Sequence, residues 1–273
     1  MTEFQVTTEQ LLLPFGRALA GVNVRTFEPA EERARIICFH GFVGNARDFD
    51  PLGAFLARNG VRLVAADMFG RGDSAHFDKP GQYNLRRMVG AAATVLAQHG
   101  RGATVLGCGW GAAIALLATT MGRLQPRNFV SIDLGPEYSV DADPVIAQAI
   151  RDRGLGFPDR EAAIAHVRAS PEFAALPPDA DVGHRVRAGE GGFRLSHDDA
   201  ITGRTEAFSG TSYDLTRMFG ALGLPLLWLN AGPAPAPALP NSTAIGNLSP
   251  AGPLLLRSPA EHYLLLGYLL SRP

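Results

Sequence analysis

Five residues, Gly107-Cys108-Gly109-Trp110-Gly111, carry the spacing of G-x-S-x-G, a sharp strand-to-helix turn that presents a nucleophile. Glycine stands at the centre, where the serine would be. Gly107 and Gly111 would let strand and helix approach closely, and Gly109 makes the turn easily but has nothing to attack with. Cys108 is next to the apex, at a position expected to point into the core and away from a pocket. A second segment, HGFVGN (40–45), follows an apolar run. Its His-Gly turn, shaped by Gly41, would free backbone N–H groups to face a cleft, as donors to the oxyanion of an acyl transfer. Phe42 would supply one such donor and Trp110 the second. In DMFGRGDS (67–74), Asp67, Arg71 and Asp73 read as holding a glycine loop by hydrogen bonds, a structural role.

Each of these turns needs a strand before it. ARIICFH (34–40), VRLVAAD (61–67) and ATVLGC (103–108) are continuous apolar runs, as strands buried on both faces are. VNVRTFEP (22–29) alternates, as a half-buried strand does. NFVSID (128–133) and LPLLWLN (224–230) extend the series, and PLLLR (253–257) would end it. Helical patterns over 50–60, 85–100 and 111–121 lie between them. Strand alternating with helix predicts a mostly parallel α/β sheet. The rhythm breaks between about 138 and 215, where short helical pieces occur. Residues 231–253 are rich in Pro, Ala and Gly and read as a loop, with 231–240 a possible partner surface.

The three turn motifs, in this order and each at a strand end, resemble the α/β-hydrolase superfamily. SIDLGPEY (131–138) is similar to the D-x-G-P turn of its helical-cap branch, which holds esterases and carbon–carbon bond hydrolases. EGGFRLSHD (190–198) and DLTRMFGALGLPLLWL (214–229) resemble the same branch. The resemblance implies an α/β-hydrolase fold, with a core of 1–137 and 215–273 and a helical cap inserted at 138–214.

The resemblance also implies a triad of nucleophile, acid and histidine, and this chain departs from it. No Asp or Glu occurs between Leu215 and Ala260, so no shift of register supplies the acid after the seventh strand. His262 falls where the histidine could be, and Ser258 is an equally good occupant. Asp133 or Glu137 could serve as an alternative acid, leaving at most a histidine general base. His166, His184 and His197 of the insertion read as surface or helix-packing residues. A glycine put in place of serine to trap substrate would leave the missing acid unexplained.

The expected function is therefore a non-hydrolytic member of the fold, binding a small molecule in the cleft between core and cap, or a partner. Some relatives, such as the N-myc downstream-regulated proteins, also carry glycine at this apex. The alternative is an active hydrolase, esterase or lyase with a non-standard site. A third is a structural subunit whose cleft is filled by Phe42 and Trp110. With a net charge of -1, 46% hydrophobic and 19% charged residues, the 273-residue chain has the composition of a soluble globular protein and no field favouring nucleic acid. No apolar run is long enough to span a membrane. The two cysteines, Cys38 and Cys108, fit neither a zinc site nor a disulfide framework. A cytoplasmic protein without metal or cofactor is expected; the sequence leaves the ligand and the oligomeric state open.

Overall fold

A computed structural model describes residues 3–122, 124–139, 141–170, 173, 180–205, 212–230, 239, 242–245 and 259–271. The chain begins with a hairpin of β1 (Phe4–Phe15) and β2 (Ala18–Pro29), closed by a two-residue turn in which Gly16 takes a positive φ. The sequence reading found the second half of β2 only. β1 is largely exposed along its length, and its run of Gln, Thr and Glu gives no apolar signature.

There follow β3 (Ala34–Phe39), α1 (Asp50–Arg58), β4 (Val61–Ala66), α2 (Leu85–His99), β5 (Thr104–Cys108), α3 (Trp110–Met121) and β6 (Asn128–Ile132). After an excursion come α7 (Thr216–Leu222), β11 (Leu226–Leu229), β12 (Ser242–Ile245) and α8 (Pro259–Leu270). The excursion comprises β7 (Glu137–Ser139), α4 (Pro144–Arg151), α5 (Arg160–Ala169), β8 (Val186–Gly189), β9 (Gly192–Leu195), α6 (Ala200–Thr205) and β10 (Ser212–Asp214). Among the described residues it contributes two small antiparallel pairs, β7 with β10 and β8 with β9, and no strand to the large sheet.

The large sheet has the order β1-β2-β4-β3-β5-β6-β11-β12. β2 runs antiparallel to β1 and β4, and the remaining pairs are parallel. This is the α/β-hydrolase architecture expected of the three motifs. β5, β6 and β11 are buried at every residue, which is why they read as mostly apolar.

Period-two alternation divides the core between the two faces of the sheet. Ile37, Phe39 and Val105 point with α2, α3 and α7 into one cluster; Ile36, Cys38, Leu106 and Cys108 point with α1 and α8 into the other. Cys108 is buried on the second face, as expected. The loop reading of 231–253 needs correction at β12. Ser242–Ile245 holds neither Pro nor Gly and pairs in parallel with β11 at the sheet's edge, where half the ladder need not be satisfied. The expected strand at 253–257, Ser258 and nearly all of 231–240 lie outside the described residues.

Candidate active-site cleft

The apex forms because three strands end side by side. Gly109 leaves β5 with φ 48° and ψ -118°, a combination glycine adopts without strain. Its N–H donates to Ile132 O at 2.7 Å, and its carbonyl accepts from Ala112 N at 3.0 Å, launching α3. The flanking glycines are required by space. A Cβ on Gly111 would collide with His40 O and lie 2.7 Å from Phe39 O, and one on Gly107 would lie 2.6 Å from Ala112 N. At Gly109 a Cβ would meet nothing within 4 Å. The apex is thus roomy; only its positive φ favours glycine.

The Gly41 turn lies beside this elbow, a Cβ there reaching Cys108 O at 3.9 Å. His40 is fully buried: its Nδ1 bonds Gly41 O at 2.7 Å, and its Nε2 accepts from Met68 N at 2.9 Å. Those partners require the Nδ1–H tautomer. Burial, aided by the nearby Arg71 charge, lowers its pKa to about 3. His40 therefore ties the first turn to the second as a neutral ring. Among the described residues, the N–H groups of Phe42 and Trp110 donate to no acceptor. Their rings meet edge to face at 5.8 Å.

The second turn brings in a residue that the sequence reading treated as structural. Asp67 holds the loop as expected, accepting from Ala46 N, Asp73 N and Asn23 Nδ2. Arg71 also does so, through Nε to Phe42 O and Nη1 to Phe69 O, both at 2.8 Å. It is only 1% exposed, however, and its guanidinium lies 5.1 Å from the centre of the Phe42 ring and 4.9 Å from Trp110. No signal in a G-R-G tripeptide marks an arginine as buried.

Phe42, Arg71 and Trp110 share the wall of a cavity of about 220 Å³. Tyr83, Met88, Leu117 and Met218 of the core and Tyr138 and Ile146 of the excursion are among the side chains that complete it. The expectation of a cleft filled by Phe42 and Trp110 is not met, since open space remains beside both rings.

The other candidates are not brought to this wall. His262 is buried in the first turn of α8, its ring tilted against Phe55 of α1 at 5.0 Å. The reason is helical spacing: His262, Leu265 and Leu269 fall on one stripe, and that stripe is the buried one. Asp133 follows β6 with φ +50° and donates its N–H to Leu229 O. It is half-buried, next to Gly109 across the β5–β6 ladder, but does not line the cavity. Glu137 is exposed on β7, opposite Asp214. Among the described residues no histidine lines the cavity, and no cluster of His, Cys, Asp or Glu could hold a metal ion. No helix among them is long and apolar enough to cross a membrane.

Two histidines of the excursion also need correction. The His184 side chain is 4% exposed and lies 2.8 Å from Asp48 of the turn after β3. His197 is fully buried, and burial with the charges of Arg71 and Arg185 lowers its pKa to about 3. His166 is the more exposed one, 3.1 Å from Asp152. Histidines one residue from an arginine or an aspartate read as surface; His184 sits inside because its partner Asp48 comes from the core.

Comparison with known proteins agrees with this architecture. The model of the alpha/beta hydrolase family matches residues 36–267. A serine hydrolase-like protein of Dictyostelium discoideum is 34% identical over 64 residues, which are 23% of this chain and 17% of that protein's length. A putative hydrolase of Rickettsia typhi superposes with a TM-score of 0.79 at 17% identity, over 98% of this chain and 100% of that one. An alpha/beta hydrolase of Novosphingobium aromaticivorans superposes with a TM-score of 0.74 at 23% identity, over the whole of both chains.

Proposed function

Because the chain belongs to the alpha/beta hydrolase family, we propose that it is a non-hydrolytic member whose cleft binds a small molecule beneath a cap formed by residues 138–214. The observation that carries this reading is Gly109. The elbow backbone is intact, at φ 48° and ψ -118°, and the side chain that would attack is missing. A serine would fit, since a Cβ there meets no atom within 4 Å. Steric exclusion therefore does not account for its absence.

Two further observations support the reading. The stretch from Leu215 to Ala260 holds no carboxylate to orient an imidazole. The cavity is open beside Trp110 and mostly apolar, with few polar groups converging on it, the character of a small-molecule site. In this reading Phe42, on the turn that Gly41 shapes, and Trp110, just past the Gly109 apex, keep the donors of an oxyanion hole and use them on a bound ligand.

The test is turnover. The protein and its Gly109→Ser variant are offered a panel of p-nitrophenyl esters of increasing acyl length. Neither is expected to exceed the buffer rate, because among the described residues the serine hydroxyl gains no imidazole on the cavity wall to take its proton. Turnover by the unaltered protein well above buffer, retained after repeated purification, would overturn the reading.

A further inference from the structure

Arg71 poses an electrostatic problem. A guanidinium that is 1% exposed normally has a carboxylate against it, since an unpaired buried charge is costly. The carboxylates of the neighbourhood are engaged elsewhere: Asp198 with His76, Arg187 and Tyr83, and Asp48 with His184 and Arg185. Arg71 instead spends Nε and Nη1 on two carbonyl oxygens, of Phe42 and Phe69. Nη2 is buried with no hydrogen-bond partner among the described residues. Burial lowers the group's pKa to about 10, against the opposing pull of Tyr83 and of the Asp198 charge, which acts on it without a hydrogen bond; the group stays charged at neutral pH.

The cavity that Arg71 lines is otherwise apolar apart from tyrosines. The N–H groups of Phe42 and Trp110, whose rings flank the guanidinium, are also uncommitted. One cation and two free N–H donors among the residues of an otherwise apolar lining favour an anion whose remainder is hydrophobic. A single negative charge balances the single guanidinium, whereas a phosphate dianion would leave a net buried charge.

We propose that the cavity binds a small monocarboxylate with an apolar body, the carboxylate at the N–H groups of Phe42 and Trp110 beside the Arg71 guanidinium and the body along Met88, Leu117 and Ile146. This rests on the ligand-binding reading above and adds the chemical class. It also gives the vacant apex a purpose. A carboxylate has no leaving group to expel, so a site for one needs the donors of the elbow and not its nucleophile.

The experiment compares hexanoate, benzoate and phenylacetate with their primary amides, which match them in shape and carry no charge. Binding is read by calorimetry at pH 7 and by fluorescence, Trp110 and Trp228 being the two tryptophans. At least one acid is expected to bind about tenfold more tightly than its amide, the size of a charge-assisted contact. Ala113→Phe, which places a ring into the cavity from α3, is expected to abolish the signal. Arg71→Met should remove the preference for the acid. If that variant does not fold, the acid–amide comparison on the unaltered protein decides alone. Equal affinity for acid and amide would overturn the carboxylate assignment and leave ligand binding standing. Binding of neither would reject both. Binding unaffected by Ala113→Phe would show that the acid sits elsewhere.

Discussion

Arg185 grips Asp48 through two parallel hydrogen bonds, Nε to Oδ1 and Nη2 to Oδ2, both 2.8 Å long. Asp48 belongs to the turn after β3 and Arg185 to the excursion between β6 and β11. The two side chains are 1% and 4% exposed. His184 Nε2 adds a contact of 2.8 Å, and Arg185 Nη1 reaches back to Val43 O at 2.9 Å. A second junction runs the other way: Asp198 of the excursion accepts from His76, Tyr83 and the N–H of Phe77. The roof of the cavity is thus held to its floor at two points by buried carboxylates.

Breaking the first junction from one side should be expensive. Arg185→Ala leaves Asp48 buried without its main partner, at a cost of about 3–5 kcal/mol. Adding Asp48→Asn removes the stranded charge and should recover part of that loss. Urea unfolding of the two variants measures it. A loss below about 1 kcal/mol in the single variant would show that the pair contributes no more than a surface ion pair.

Acid should destabilise the fold well before its paired carboxylates titrate. His40 and His197 are neutral when folded, with pKa near 3 against 6.5 for the free side chain. Between those values the unfolded chain binds more protons, so stability falls with pH, by about 1.4 kcal/mol per unit for each histidine. Burial acting alone would raise the Asp48 carboxyl, but Arg185 and His184 hold it well below the carboxylate range. Its contribution, full above the ordinary carboxylate pKa, is lost progressively as pH falls from there towards the folded-state value. His76 has the opposite sign. Its bond to Asp198 raises its pKa, so its contribution is full below 6.5 and lost as pH rises through the raised value. Denaturation midpoints at half-unit steps from pH 4 to 8 should show a steep acid limb and a shallow alkaline decline. A flat profile from pH 6.5 to 4.5 would be inconsistent with two neutral buried imidazoles.

The three glycines of the elbow should differ in tolerance. Gly111→Ala forces a methyl group against the His40 and Phe39 carbonyls, and Gly107→Ala forces one against the α3 backbone. Each should cost more than about 3 kcal/mol or prevent folding. Gly109→Ala meets open space and bears only the strain of a positive φ, about 1–2 kcal/mol. Chemical denaturation orders the three. A Gly109 variant less stable than the other two would contradict the geometry.

Much of the frame was legible before any coordinates. β3 to β6 and β11 are buried on both faces over most of their length, so burial writes itself into the chain as mostly apolar runs. The strand-to-helix turns show because close approach of backbones admits only glycine at 107 and 111. The lack of a carboxylate from 215 to 260 is a matter of counting and needs no register. β1 escaped notice because an edge strand facing water carries no apolar pattern. His262 could be numbered in the sequence but not assigned a side, since a stripe through Leu265 and Leu269 turns it against α1 only once α8 has docked.

Local order therefore decided the elements and the empty apex, since both depend on residue type and on spacing within one turn or strand. Only the folded chain decided the site. Arg71 becomes a buried cation with a donor to spare because α3 brings Trp110 over it, the turn after β3 brings Phe42, and Asp198, whose charge reaches it, makes its hydrogen bonds to His76 and Tyr83 instead. Such charge accounting depends on distances between residues far apart in the chain, and no local pattern encodes them.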